Sequence, residues 1–280
     1  MTKTVLITGT SSGIGAHTAV AAARSGWRAV ATMRDVSRAG VLTELARSAG
    51  VLDLIDIRAL DITDLDSVTS CLDGVIADFG ALDAVVNNAG AGHVGTLELE
   101  RIDDVRTVME VNFFGTVLVT KAALPHLRAS GGRVLTVTSV GGVVGQPFNE
   151  AYCAAKFAVE GFMESLAPVA ATVGVTVVVI EPGAVASGFV GNVGLDATGL
   201  MASAGPYAPA LTAYLARTAG AFAHAQSAAD AAGVIISALT AEDVPFRMQT
   251  SPGARAFAGV KLADLDGSGV IGLTTTWVAS

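Results

Sequence analysis

Charge is scarce in this chain. Only 15% of its 280 residues are Asp, Glu, Lys or Arg, against ~25% in an average soluble domain. Beside 51% hydrophobic residues, that shortage excludes disorder, which needs the opposite balance. A basic surplus is also missing: 17 basic residues face 25 acidic ones, a formal net charge of −8. A nucleic-acid partner is therefore not expected, because a phosphate backbone is met by a positive face. Cysteine is nearly absent, and Cys71 and Cys153 cannot build a disulfide framework or a metal cluster. His17, His93 and His126 lack metal-ligand spacing, so no metal is expected. Long apolar runs are absent as well. A spanning helix needs about 20 consecutive apolar residues, whereas Val5–Ile7, Val134–Val137 and Val175–Ile180 are short and end in Gly, Pro, Ser or Thr. No membrane span is expected. The first residues carry one Lys and then a strand, without the features of a signal peptide. These absences together predict a soluble, reduced, cytoplasmic protein.

What is present is alternation. Strand-like runs occur at Thr4–Thr8, Arg28–Met33, Asp56–Ala59, Ala84–Asn87, Arg133–Ser139 and Val175–Glu181. Segments of helical length lie between them, such as Ile14–Ser25, Asp66–Phe79 and Asp103–Leu124. That order predicts an α/β fold, a doubly wound parallel sheet with right-handed crossovers. Beyond Phe189 the texture turns rich in Gly, Ala, Asn and Ser; helices are expected at 207–224 and 227–240, then a strand at 245–249. No linker separates a second domain. Residues 1–280 read as one domain, with a small helical lid over a cleft at about 187–225.

The turn Thr8-Gly9-Thr10-Ser11-Ser12-Gly13-Ile14-Gly15 follows the first strand and opens the first helix. Glycines let backbone come close to a pyrophosphate, and a helix N-terminus offers free N–H groups and a positive dipole end. The pattern predicts dinucleotide binding through Gly9, Ser11, Ser12, Gly13, Ile14 and Gly15. At the end of the second strand an Arg would take a ribose 2′-phosphate and an acid a 2′-hydroxyl. Arg34 and Asp35 offer both side by side. The chemistry favours NADP(H) through Arg34 and leaves NAD(H) open through Asp35. Asp61 and Ile62 follow the third strand and are placed at the adenine; Asn87, Asn88, Ala89 and Gly90 follow the fourth and form a cofactor floor.

Tyr152 and Lys156 stand at i and i+4 and share a helix face. A phenol with pKa ≈ 10 needs ~4 kcal/mol to fall ~3 units, and one ammonium at about 4 Å supplies roughly that at an effective dielectric of about 20. Lys156 is expected to tune Tyr152 in this way. Ser139, thirteen residues earlier, could hold a substrate oxygen or cap the next turn. Asn112 could hold a water or bridge backbone groups.

On these motifs, with Pro182-Gly183 added, the sequence resembles the classical short-chain dehydrogenases/reductases over essentially its whole length. The resemblance implies a Rossmann-type sheet of about seven strands. It implies Tyr152 as general acid/base, Lys156 on the nicotinamide ribose, Ser139 on the reacting oxygen and Asn112 in a proton relay. Pro182, Gly183, Val185 and Ser187 would line the nicotinamide site, and Arg34 would mark NADP(H). Gly131–Leu166 and Phe246–Thr250 are similar to the branch holding estradiol 17β-dehydrogenase type 1 and photoreceptor retinol dehydrogenase. That points to a bulky apolar ketone or alcohol, steroid-like, with Val140, Phe148, Asn149 and Phe189 in its pocket. The branch's lid histidine is matched by Arg217, so estrogen specificity is not carried over; His224 reads as a helix-surface residue. The helices at Asp103–Leu124 and Tyr152–Ala171 correspond to the family's dimer interface, which implies a homodimer or homotetramer. A non-catalytic nucleotide sensor, or an epimerase or dehydratase with the same Tyr/Lys pair, would share the fold.

Overall fold

The computed structural model describes residues 2–186, 197–266 and 268–277. Its first elements are β1 (Thr4–Thr8), α1 (Gly13–Arg24), β2 (Arg28–Met33), α2 (Gly40–Ser48), β3 (Ile55–Ala59) and α3 (Leu65–Phe79). There follow β4 (Ala84–Asn87), α4 (Ile102–Met109), a π turn (Glu110–Phe114), α5 (Gly115–Ser130), β5 (Arg133–Val137) and α6 (Glu150–Ala171). The remainder is β6 (Thr176–Glu181), β7 (Val185–Ala186), α7 (Ala197–Ser203), α8 (Ala208–Ala223), β8 (Gln226–Ser227), α9 (Ala228–Thr240), β9 (Arg247–Gln249), α10 (Pro252–Leu262) and α11 (Ser268–Thr275).

Seven strands form one parallel sheet in the order β3-β2-β1-β4-β5-β6-β9. The predicted doubly wound Rossmann-type architecture is the one observed. Alternation along buried strands divides the core into two layers. Leu6, Val134, Val177 and Val179 face α3, α5 and α6 with Val75, Val119, Leu127 and Met163. Val5, Ile7, Val178 and Ile180 face α1, α2 and α9 with Ala19, Leu42 and Ile235. The strand order reverses between β1 and β4, so their carboxyl ends open the crevice where such sheets bind ligands.

Three stretches depart from expectation. β5 stops at Val137, because Ser139 takes up the cap of a 3-10 turn, Val140–Gly142, and accepts from the Gly141 N–H at 3.0 Å. The run expected as one helix from Asp103 to Leu124 is broken at the π turn around Asn112. The combined run Ile102–Ser130 is long and apolar enough to cross a membrane, but it buries Val119, Ala123 and Leu127 in the core. Finally, α10 and α11 extend the chain beyond the expected last strand.

The two ends of the segment between β7 and β8 are held side by side. β7 pairs with β8 through Val185↔Gln226 and Ala186↔Ser227, so the chain leaves and returns at adjacent points. Within it, α8 docks on the body through Leu211 and Tyr214, packed with Phe148 and Ala204.

Candidate active site

The glycine turn at the end of β1 is held by close backbone contacts. Gly9 has φ +70°, and a Cβ there would meet Ala89 Cα at 2.8 Å. A Cβ on Gly15 would lie 2.3 Å from the Gly9 carbonyl oxygen and 2.5 Å from Asn88 Nδ2. Only glycine fits at either point. Asn88 locks the turn from β4, its Nδ2 donating to the Thr8 and Gly9 carbonyls at 2.9 and 3.0 Å. Thr8 Oγ1 accepts in turn from the Asn88 and Ala89 N–H groups at 3.0 and 2.9 Å. Ser12 caps α1 in extended conformation without a side-chain bond, so the Gly13, Ile14 and Gly15 N–H groups stay open at the helix start. The cradle fits an anionic phosphate group.

At the rim, Arg34 and Asp35 separate in role. Asp35 accepts from the Ser37 N–H and hydroxyl at 3.0 and 2.7 Å, and those bonds hold its carboxyl below the usual range. Arg34 stays exposed at the end of β2. Asp61 is drawn into its own turn by Thr63, at 3.0 Å from the N–H and 2.8 Å from the hydroxyl. The Thr63 N–H, its hydroxyl and Arg34 hold the Asp61 carboxyl low, against burial. Ile62 turns its side chain into the core, where it touches Gly115, so it can offer an adenine only backbone. Asn87 donates to Thr120 and Thr136 hydroxyls at 2.9 and 3.3 Å and is buried away from the crevice.

Asn112, Ser139, Tyr152 and Lys156 come together at the carboxyl ends of β4 and β5. The Tyr152 hydroxyl is hydrogen-bonded to Ser139. A Cβ on Gly141 would stand 3.3 Å from both Ser139 Oγ and Tyr152 Cε1. Lys156, buried on α6, donates to the Val137 carbonyl at 3.2 Å and stands 5.9 Å from the Tyr152 ring centre. A Cβ on Gly90 would meet Asn112 Oδ1 at 2.8 Å and Lys156 Nζ at 3.5 Å. Asn112 bridges backbone: its Nδ2 donates to the Ala91 and Val108 carbonyls, both at 3.0 Å, and its Oδ1 accepts from the Ala91 N–H at 3.1 Å.

The expected tuning of Tyr152 by Lys156 is not what the isolated chain does. Burial pushes the phenol up to about 12, against the pull of the Ser139 bond. Burial also pushes Lys156 down to about 8, with Glu160 pulling the other way. Both groups are desolvated together, and desolvation penalises the charged form of each. At neutral pH Tyr152 therefore keeps its proton.

Beside this cluster lies a cavity of about 380 Å³ lined by Val140, Gly183, Gln226, His224, Ser251 and Phe257, among others. Val140 borders it. His224 also borders it and, as its reading as a helix-surface residue had it, is exposed at the end of α8. Phe148 and Asn149, not among the residues named on the cavity wall, both contact Tyr214 of α8. Phe148 has φ +57° and packs its ring 5.4 Å from that of Tyr214, and Asn149 Nδ2 donates to the Tyr214 hydroxyl at 2.5 Å. Val185 sits in β7 beside Ala228 and Ala231. Pro182 accepts from the Val140 N–H at 2.9 Å, which sets Gly183 against the cavity. Ser187 and Phe189 lie outside the described residues. Ser251 and Phe257 were missed, although Ser251-Pro252 carries the N-cap and first-turn proline of a helix start, with Ser251 Oγ accepting from the Ala254 N–H at 3.1 Å.

Comparison with known proteins places the chain in one family. The family model described as short chain dehydrogenase matches residues 3–197. Retinol dehydrogenase 8 of Bos taurus is 36% identical over 280 residues, covering 95% of this chain and 87% of its own. Estradiol 17-beta-dehydrogenase 1 of Rattus norvegicus is 45% identical over 190 residues, covering 66% of this chain but only 55% of its own length. Among solved structures, a short-chain dehydrogenase from Streptomyces avermitilis is 29% identical with a TM-score of 0.77, over 95% of this chain and 94% of that one. An alcohol dehydrogenase from Thermococcus sibiricus, complexed with 5-hydroxy-NADP, is 25% identical with a TM-score of 0.72, over 89% and 96%. The chain belongs to the short-chain dehydrogenase family and is an oxidoreductase.

Proposed function

We propose that this enzyme is an NADP(H)-dependent oxidoreductase acting on a hydrophobic ketone or secondary alcohol, steroid-like in size, with Tyr152 as general acid/base. The observation that carries this reading is the Ser139-bonded Tyr152 phenol, with Lys156 one turn further along α6 and the glycine cradle nearby. The nicotinamide, when bound, supplies or accepts the hydride at the carbon of the carbonyl. In reduction, Ser139 orients the carbonyl oxygen and Tyr152 Oη gives its proton to that oxygen as the hydroxyl forms. In oxidation the same phenol, once ionised, takes the alcohol proton. The protonated state favoured by burial is the one reduction starts from.

Gly9, Ser11, Ser12, Gly13, Ile14 and Gly15 would hold the pyrophosphate, with Asn88, Ala89 and Gly90 as its floor. Arg34 would take the 2′-phosphate, and supports NADP(H) over NAD(H) because Asp35 is spent on Ser37. Asp61 and the Ile62 backbone would flank the adenine. Tyr152 and Lys156 would hold the nicotinamide ribose, and Pro182, Gly183, Val185 and Ser187 the carboxamide side. Substrate would enter the cavity at Val140 and Phe257; Phe189 remains a proposed pocket residue. Phe114, Phe157 and Phe162, exposed around α5 and α6, support assembly as a homodimer or homotetramer. The buried free thiols Cys71 and Cys153 suit a cytoplasmic location.

The test is a panel of steroid, retinoid and aliphatic ketones with NADPH and NADH, followed by absorbance. Tyr152→Phe should lower kcat by about 10²–10⁴-fold while cofactor affinity stays nearly constant. Turnover retained by that variant would remove Tyr152 from the mechanism.

A further inference from the structure

One face of α6 carries more polar machinery than the proposed reaction uses. Tyr152, Lys156 and Glu160 stand at i, i+4 and i+8 and so share that face. Glu160 is 5% exposed, a burial that a carboxylate rarely accepts without partners. It has them from two strands. Thr138 Oγ1, just past the end of β5, donates to Glu160 Oε1 at 2.5 Å, and Arg247 Nε of β9 donates to Oε2 at 3.3 Å. Arg247 Nε also stands 3.3 Å from Glu181 Oε1 on β6, and its other nitrogens reach Glu164 at 3.0 and 3.3 Å. Glu181, wholly buried, accepts from Gln249 Nε2 at 2.8 Å.

Three consecutive residues at the end of β5 and just past it each hold one member of the α6 face. The Val137 carbonyl takes Lys156, the Thr138 hydroxyl takes Glu160, and Ser139 takes Tyr152. The packing between them is tight: a Cβ on Gly142 would meet Glu160 Cγ at 3.0 Å and the Lys156 carbonyl oxygen at 3.1 Å.

We propose that Glu160 is a positioning residue. Held by Thr138 and Arg247 one helical turn from Lys156, its carboxylate keeps the buried Lys156 ammonium charged. The inference rests on the reading of Tyr152 and Lys156 as the proton-handling pair. Charged and titratable groups around the two are Tyr152 and Glu164 on the same helix, Glu181 from β6 and Arg247 from β9; the neutral Asn112 and Gly90 close the other side of Lys156. Burial raises the Glu160 carboxyl, and Glu181 adds to that; Thr138 and Arg247 oppose it. The anion on Glu160 raises Lys156 against its own burial. Loss of that anion lets the ammonium deprotonate at lower pH.

The chain's lysines are Lys3, Lys121, Lys156 and Lys261, few enough to follow singly. The full chain labelled with ¹³C at lysine Cε would be titrated by NMR, with Lys156 assigned through Lys156→Arg. In Glu160→Gln, which keeps an acceptor for Thr138 but no charge, the Lys156 midpoint should fall by about one pH unit while the other three stay in place. Thr138→Val is nearly isosteric and should move Lys156 the same way by less; it serves if the Gln variant does not fold. A role for Glu160 in packing alone would leave the Lys156 midpoint where it is in both variants, and that result overturns the proposal. With a ketone substrate, the alkaline limb of kcat should move with Lys156. If no ketone or alcohol is turned over by the wild type, the Tyr152 and Lys156 reading falls, while the titration still decides whether Glu160 sets Lys156.

Discussion

The cradle at the end of β1 and the cavity beside Val140 are built on opposite principles. The cradle is backbone: glycines at positions 9 and 15 whose missing Cβ atoms allow contacts of 2.8 and 2.3 Å, locked by Asn88. The cavity is mostly side chains contributed by distant stretches of chain, Val140, His224, Gln226, Ser251 and Phe257, with Gly183 lining it through backbone. Substitution at the cradle meets the main chain, which cannot yield. Substitution at the cavity meets rotamers and open space, which can. The first region tolerates little change, and the second more.

That contrast can be broken at several points. The largest effect is expected at Gly15→Ala. Its Cβ would need room already occupied by the Gly9 carbonyl, so the turn must open. Overpacking of this kind costs about 1–3 kcal/mol. The melting temperature should drop by several degrees, and the KM for NADPH should rise by more than about tenfold. A variant with wild-type cofactor KM would show that the cradle yields after all.

Arg34→Ala comes next. Loss of a charge-assisted bond to a phosphate is worth roughly 1.5–3 kcal/mol, so NADPH affinity should fall about 10- to 100-fold, with NADH little changed. Equal losses for both cofactors would refute the assignment of Arg34. Titration of each dinucleotide by protein fluorescence or calorimetry measures both.

Phe257→Ala should be the mildest. Phe257 packs on Trp277 with ring centres 5.6 Å apart and also lines the cavity. Its truncation should shift KM among ketones of different bulk by a few-fold to about tenfold, since single apolar contacts discriminate by 1–3 kcal/mol. Cofactor KM should not respond. If it does, the two regions are coupled and the contrast drawn above is too sharp.

The same contrast explains what could be read from the sequence. β1, β2 and β4 are found at the residues expected, because a strand buried on both faces is a continuous apolar run with turn residues at its ends. The glycine turn was legible because its chemistry is local. The break at Asn112 was not, since the residues of a π turn have the pattern of the helices around it. Glu160 was invisible for a different reason. An acid on a helix reads as a solvated face, whereas its partners Thr138, just past β5, and Arg247 of β9 are brought to it from far along the chain. The pull of Lys156 on Tyr152 was overvalued because a sequence gives spacing but not desolvation, which here raises one group and lowers the other. The cavity's far wall needed α10, whose start at Ser251-Pro252 is a readable signal, together with a side-chain convergence that no local pattern records.

The short pairing of Val185 and Ala186 with Gln226 and Ser227 has an engineering meaning. It brings the two ends of the intervening segment side by side, so that segment is a cassette with fixed terminals. A different segment of other length could be spliced between Ala186 and Gln226 without disturbing the order of the seven-stranded sheet. Besides the contacts of Tyr214 with Phe148 and Asn149, a tie to the C-terminal part of the chain would have to travel with it. The Arg217 guanidinium lies 4.0 Å from the centre of the Trp277 ring, so the C-terminal tail grips the cassette from outside. Swapping the segment alone would leave Trp277 stacked on Phe257 but without its cation, whereas swapping segment and tail together would keep that pair intact over an unchanged sheet.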